Sequence, residues 1–204
     1  MKKNIWLSIL FLIISRPLFA QIDIAAGMGI SFVYAPSLNS YLEMRADDGI
    51  NTFLSTAEFF GEVDYSISEK YQIGFEYVYT LFDFASSYAG NYSLSYNHHK
   101  PSVLGYYVIS GNGYKFKLGF GTGMRIINLT EDISIKESYD VIGIGFLFKA
   151  QGHTKLGEKF YANIGTSLRT DFTGSPTNKF GSFHEDININ SISISVNLGI
   201  TYSF

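Results

Sequence analysis

The stretch Ile192-Ser193-Ile194-Ser195-Val196-Asn197-Leu198-Gly199-Ile200-Thr201-Tyr202-Ser203-Phe204 alternates apolar and small polar residues without a break. Period two is the repeat of an extended strand, whose successive side chains point to opposite faces; a helix would repeat its apolar residues about every 3.6 positions. This strand therefore carries Ile, Val, Leu, Tyr and Phe on one face and Ser, Asn, Gly and Thr on the other.

The same period recurs upstream, at 22–32, 59–67, 71–80, 114–125, 142–149 and 160–169. In the fifth strand, for example, Tyr114, Phe116, Leu118 and Phe120 alternate with Lys115, Lys117, Gly119 and Gly121. The segment Ser102 to Ile109 is apolar on both faces, with Leu104, Tyr106 and Val108 on one and Val103, Tyr107 and Ile109 on the other. Turn signals flank it, so it counts as a strand, and Pro101 marks its start or a bulge. Three connections are short (Ser68 to Lys70, Ser110 to Gly113, Leu156 to Glu158) and four are long (36–54, 83–100, 128–138, 171–187). Long and short alternate, which is the asymmetry of barrels with tight periplasmic turns and extended outer loops. The expected fold is all-β: an eight-stranded antiparallel up-and-down transmembrane β-barrel with both chain ends on the periplasmic side.

The N-terminal segment reads as an export signal. Lys2 and Lys3 precede an apolar run from Ile5 to Ile14, too short to span a bilayer as a helix, and Leu18-Phe19-Ala20 offers a cleavage site. The expected division is a signal peptide over 1–20 and a barrel domain over 21–204. The full chain has 15 Lys and Arg against 18 Asp and Glu. The signal holds Lys2, Lys3 and Arg16 and no acid, so the mature balance is 12 minus 18, or −6. That excludes a basic nucleic-acid footprint. The absence of Cys excludes disulfides, thiolate metal sites and a Cys nucleophile.

Alternation alone leaves open which face is outside, because a secreted soluble barrel alternates too. A soluble barrel, however, covers its outer face with Lys and Glu. Here the polar stripe is mostly Gly, Ser, Asn and Thr, which suits the cramped lumen of an eight-stranded barrel. The apolar stripe is rich in aromatics and places Tyr71, Tyr114, Phe160 and Tyr202 near the turns, as an aromatic girdle would. The apolar face is therefore expected to meet lipid.

On these residues the chain resembles the small eight-stranded outer-membrane barrels of the OmpA and OmpX type, and the broader outer membrane beta-barrel domain proteins of diderm bacteria, over nearly all of 21–204. The most specific element is the C-terminal strand with Ile200, Tyr202 and Phe204. The resemblance implies that these three form the signal read by the barrel-assembly machinery. It implies location and biogenesis in the outer membrane, with membrane lipid as a partner, but no particular activity.

The polar stripe carries charge of both signs: Glu58, Glu62, Asp64 and Glu76 on the second and third strands, and Lys115, Lys117, Arg125, Lys149 and Arg169 on the fifth to seventh. Buried charges must be paired. The expectation is a lumenal salt-bridge network, with Glu62 and Glu76 reaching bases such as Lys117 or Arg125; the alternative is a gated, narrow, porin-like ion path. No enzyme, metal or cofactor is expected. Adjacent His98 and His99 point to opposite strand faces, His184-Glu185-Asp186 lies in the last loop, and His153 sits near a periplasmic turn. An outer-leaflet lipid hydrolase is a distant third reading. Gly119-x-Gly121-x-Gly123 lies within a strand, so it is no phosphate loop. The long loops hold Tyr41, Leu42, Met44, Phe53, Tyr88, Tyr92, Phe180 and Phe183. These either bind an extracellular ligand or pack on one another over the barrel mouth. The functional expectation is an integral outer-membrane protein with a structural or surface-interaction role.

Overall fold

A computed structural model describes residues 22–46, 55–86, 92–132, 136–178, 181–182 and 188–204. The expected signal over 1–20, and the loop residues Phe53, Tyr88, Phe180, Phe183, His184, Glu185 and Asp186, lie outside these residues, as does the side chain of Met44.

Eight long strands make the wall: β1 (Ile22–Tyr34), β2 (Thr56–Ser68), β3 (Tyr71–Ser86), β4 (Tyr92–Gly111), β5 (Tyr114–Asp132), β6 (Lys136–Lys155), β7 (Phe160–Thr173) and β10 (Ser191–Ser203). Two-residue strands β8 (Thr177–Asn178) and β9 (Gly181–Ser182) lie between β7 and β10. Each long strand pairs antiparallel with its chain neighbours, and β1 pairs with β10 from Asp23↔Ser203 to Tyr34↔Ile192, which closes the barrel. Closure leaves no free edge where all eight strands run together. The hairpin between β4 and β5 turns on Asn112-Gly113, where Gly113 has φ of +82, the left-handed conformation a tight hairpin needs.

Faces follow the alternation. Met28, Phe120, Ile142 and Leu198 point outward and are 61–68% exposed. Ser195, Asn197, Glu62 and Lys149 point inward and are buried. In β4, Leu104, Tyr106 and Val108 take the inward face and Val103, Tyr107 and Ile109 the outward one. Tyr71, Tyr107, Tyr114, Phe160 and Phe204 ring the short-turn end. Edge-on stacking ties Tyr202 to Phe160 (5.0 Å) and Phe204 (4.7 Å).

Three expectations need correcting. The segments 83–100 and 128–138 are mostly strand rather than loop: β3 runs to Ser86, β4 starts at Tyr92, and β5 and β6 run to Asp132 and from Lys136. Strands β3 to β6 have 16, 20, 19 and 20 residues against 13 or 14 in the other four. The extra six or so residues make a wall about 20 Å taller along the strand at about 3.3 Å per residue. In this extension the alternation inverts, with Tyr92, Leu94 and Tyr96 inward and Ser93, Ser95 and Asn97 outward. A search for apolar-outward strands passes over it. Pro101, second, marks neither a start nor a bulge. The β4–β5 ladder skips Lys100 and Pro101 and resumes at Ser102↔Gly123 in unchanged register. The imino nitrogen removes one donor without shifting the strand. Third, residues 36–46 of the expected first loop form a helix.

That helix, α1 (Pro36–Ala46), starts with Pro at its first position, where no backbone donor is needed. Leu38, Tyr41 and Leu42, spaced i, i+3, i+4, form its buried stripe, each no more than 1% exposed. They pack in one apolar cluster with Leu94 and Tyr96 of β4, Ile127 and Leu129 of β5, and Tyr139 and Val141 of β6. The tall wall thus gains an apolar inner face, and α1 covers it across the barrel mouth.

Candidate functional site

The interior is the site the sequence singles out. Below the apolar cluster the inward face mixes polar side chains with two small apolar groups (Leu104, Tyr106, Val108 and Leu147; Ala25, Phe60 and Val78). This part of the described lumen holds six acids (Asp23, Glu58, Glu62, Asp64, Glu76, Asp171) and six bases (Lys100, Lys115, Lys117, Arg125, Lys149, Arg169), while a further buried acid, Glu131, stands level with the apolar cluster and accepts from Tyr41. The formal balance is zero. Desolvating an unpaired carboxylate or ammonium costs several kcal/mol, so so dense a set persists only when paired.

The pairs form three levels. Nearest the short turns, Lys115 Nζ lies 3.1 Å from Asp23, whose carboxylate also accepts from Ser203 and, at 3.2 Å, from Gln72. At mid-barrel, Lys117 meets Asp64 and, at 3.3 Å, Glu62; Lys149 bridges Glu62 and Glu76; and Arg169 donates to Glu76 at 2.7 Å. Gln151 adds a donor to Glu62 at 3.2 Å. The Lys117 ammonium lies 4.2 Å from the centre of the Tyr106 ring, and Lys149 lies 5.1 Å from that of Phe60. Both aromatics therefore stabilise cations while filling space. Toward the mouth, Asp171 pairs with Arg125 and lies 3.7 Å from Lys100.

All nine expected lumenal charges point inward, but not in all the expected pairs. Glu62 reaches Lys117, whereas neither Glu62 nor Glu76 is paired with Arg125. The reason is height: Arg125 stands near the mouth, level with Asp171 on β7, and Ser102 takes its Nη1 at 3.1 Å. Glu58 accepts from Asn197 at 2.8 Å, without a cation. Sequence reasoning missed Asp23, Lys100 and Asp171. Lys100 and Asp171 lie in stretches whose composition reads as loop, and extending the period-two count by a few residues reaches both; Asp23 already lies on the polar stripe of the 22–32 segment but stands apart from the other charges at the first strand's start.

Glycines set how tightly the interior closes. A Cβ on Gly145 would strike the Arg125 and Asp171 side chains, and one on Gly119 the Tyr106 ring. Gly121 has no room either, because a Cβ there would meet the Val103 carbonyl and the Leu104 side chain. A serine at position 121 would therefore press on the Leu104 side chain and the β4 backbone.

The histidines are dispersed. His98 is buried, with its Nδ1 2.9 Å from the Tyr96 hydroxyl. His99 faces outward with Nδ1 2.6 Å from the Tyr77 hydroxyl, and His153 Nδ1 lies 3.1 Å from the Thr201 hydroxyl. Among the described residues no group of three His, Cys, Asp or Glu is placed to hold a metal ion.

No protein-family model matches the chain, and no curated protein matches it in sequence. Solved structures do match in shape. Ail, the attachment invasion locus protein of Yersinia pestis, superposes with a TM-score of 0.56 at 12% identity, covering 92% of this chain and 100% of Ail. Neisserial surface protein A gives 0.52 at 11% identity, with 90% and 97% covered. The outer membrane protein OprG from Pseudomonas aeruginosa gives 0.51 at 13% identity, with 91% and 96% covered. The fold is that of the small eight-stranded outer-membrane β-barrels.

Proposed function

We propose that this chain, exported by a cleaved signal peptide, is an integral outer-membrane protein whose barrel is closed to diffusion and acts as a rigid stand for a surface-exposed wall. Its role on this reading is structural or surface-interacting, neither pore nor enzyme. One observation carries it: the lumen below the apolar cluster is filled by buried charges, all but Glu58 in ion pairs, and the mouth above them is covered by α1. An ion crossing would have to displace the Leu38, Tyr41 and Leu42 cluster and then break pairs in a low-dielectric interior, where each broken pair costs several kcal/mol. The outward band supports membrane insertion, since each long strand presents three to six large exposed apolar side chains at alternate positions around the barrel. The terminal Ile200, Tyr202 and Phe204 stand on that outward side, available to an assembly machinery.

Among proteins of this fold, Ail is named for attachment and is known in complex with a heparin analogue, sucrose octasulfate. A contact role of that general kind fits a barrel that lifts a wall of strands above its apolar band. Polyanions themselves fit this chain poorly, because the outward charges of the described wall are Asp83, Asp132 and Asp140 against Lys136, a balance of −2.

The test is planar-bilayer recording on the purified mature barrel. The expected result is no unitary conductance across ±100 mV above the bare bilayer. Reproducible steps would overturn the closed-barrel reading in favour of the narrow pore.

A further inference from the structure

The wall of β3 to β6 carries an outward face that the barrel's closure does not use. Above the apolar band its side chains stand in registered cross-strand rows. Asn97, Asn128 and Asp140 make one row, and Ser95, Thr130 and Ser138 the next. Neighbours in a row are about 4.8 Å apart, and rows are about 6.6 Å apart along the strands. Asn128 Nδ2 donates to Asp140 at 2.7 Å, and the Thr130 and Ser138 hydroxyls lie 3.3 Å apart, so the rows are ordered across strands. Aromatic rings stand at the foot of this array. Tyr77 is 42% exposed and hydrogen-bonded to His99, and the Tyr79 ring lies 4.9 Å from the His99 ring while its hydroxyl donates to Asn97 at 2.8 Å.

We propose that this outward wall face docks the uncharged sugar headgroup of a glycolipid in the outer leaflet. The inference rests on the outer-membrane reading above. Three features of the face select that occupant. Its functional groups are mainly hydroxyls and amides, which both donate and accept, with the carboxylates of Asp140 and Asp83 as acceptors at the row ends, and a polyhydroxylated ring needs both kinds of partner. Tyrosine rings beside them offer an electron-rich face to the polarised C–H groups of a sugar. The few charges are mainly acidic, which disfavours phosphate and sulfate groups; no base stands in either row. Position selects the lipid-borne form over free sugar. The array is continuous with the apolar band, since His99 pairs with Ile126 and Ile126 with Ile142 in the row directly below Asn97, Asn128 and Asp140. A lipid whose chains lie against Ile126 and Ile142 holds its headgroup at the array, and tethering raises the local concentration of a weak ligand.

The test is amide-resolved NMR of the mature barrel in dodecylphosphocholine micelles, titrated with dodecyl maltoside as an uncharged sugar-headed amphiphile. Saturable shifts confined to residues 93–99, 128–132 and 136–140 are expected, with free maltose at least tenfold weaker. A Ser95→Ala/Thr130→Ala/Ser138→Ala variant, whose spectrum reports its folding, should weaken the maltoside response about tenfold. Shifts spread evenly around the barrel, or an unchanged response in the triple variant, overturn the site. Equal response to free maltose overturns the lipid-borne assignment. A barrel that stays folded and monodisperse with no detergent overturns the membrane reading itself, a separate outcome.

Discussion

Lys149 is the hinge of the mid-barrel network, and replacing it tests whether the lumen is held by coupled charges. Its ammonium contacts both Glu62 and Glu76, and its side chain is almost fully buried. Lys149→Met keeps the stem against Phe60 and removes the charge. Glu62 then retains Lys117 at 3.3 Å and Gln151 at 3.2 Å, and Glu76 retains Arg169 at 2.7 Å. Neither carboxylate is orphaned, but the balanced lumen becomes net negative by one. Breaking a buried pair costs roughly 3–5 kcal/mol, and the surviving partners put this case at the lower end, ~3 kcal/mol. Adding Glu62→Gln restores the balance and leaves Glu76 with its arginine. The double variant should therefore recover at least half of the loss, which makes the coupling at least ~1.5 kcal/mol, and larger by whatever Glu62→Gln costs alone. Equilibrium urea unfolding in lipid vesicles, followed by circular dichroism, measures all four corners of the cycle. Additivity within ~0.5 kcal/mol would refute the network as a coupled unit.

Three further outcomes follow from the faces and the plug. Phe120→Arg puts a charge at mid-strand on the outward band and should cost ~2–4 kcal/mol, falling at Tyr114→Arg and Met124→Arg nearer the rims; a flat profile in vesicle unfolding would reject lipid contact. Gly121→Ser should cost ~1–3 kcal/mol by overpacking. Gly61→Ala, on the outward face with nothing within 4 Å of the added carbon, should stay within ~0.5 kcal/mol, and equal effects would reject the packing argument. Leu42→Ala should cost ~2–5 kcal/mol as a buried deletion, yet leave bilayer conductance absent, because the paired charges beneath it remain.

How much of this was legible in the sequence depends on which solvent a strand faces. The 192–204 stretch announced its strand, its faces and its place in the sheet, because lipid outside and a cramped polar lumen inside enforce strict alternation. The nine lumenal charges were legible for the same reason. The pairing of Arg125 was not, because cross-barrel partners depend on strand stagger, which one sequence does not display. Tyr92 counts among the loop residues in the sequence, and Leu94 and Tyr96 fall in the same 83–100 connection, although all three alternate with Ser93, Ser95 and Asn97 as regularly as any strand. Their polarity is opposite to the template, and serine and asparagine read as loop composition. α1 was hidden because its stripe is only Leu38, Tyr41 and Leu42, too short a run to show helical period above noise.

The inversion has a physical origin that ties wall, plug and site together. Going up β5, the outward residues change from Met124 and Ile126 to Asn128 and Thr130, while the inward ones change from Arg125 to Ile127 and Leu129. Going up β4 toward its start, the outward residues change from Val103 to His99 and Asn97, and the inward ones from Lys100 to Tyr96 and Leu94. On β5 both faces switch within about two residues; on β4 the outward face turns polar one row lower, at His99 opposite Ile126, and the inward face turns apolar one row higher, at Tyr96 opposite Leu129. A sheet in lipid must hide its polar groups inside, whereas one in water gains by hiding apolar ones, at about 25 cal/mol for each Å² removed from water. On the outer-membrane reading proposed above, the switch sets the membrane boundary on these strands at the row of His99, Ile126 and Ile142. Above it, four strands with an apolar inner face have no opposing strands of equal height among the described residues, so that face needs a cover. Leu38, Tyr41 and Leu42 supply it, and covering the wall with a helix also closes the mouth. On the closed-barrel reading proposed above, closure thus follows from building a tall wall on one side, and the polar outer face that remains is the surface that the described wall presents.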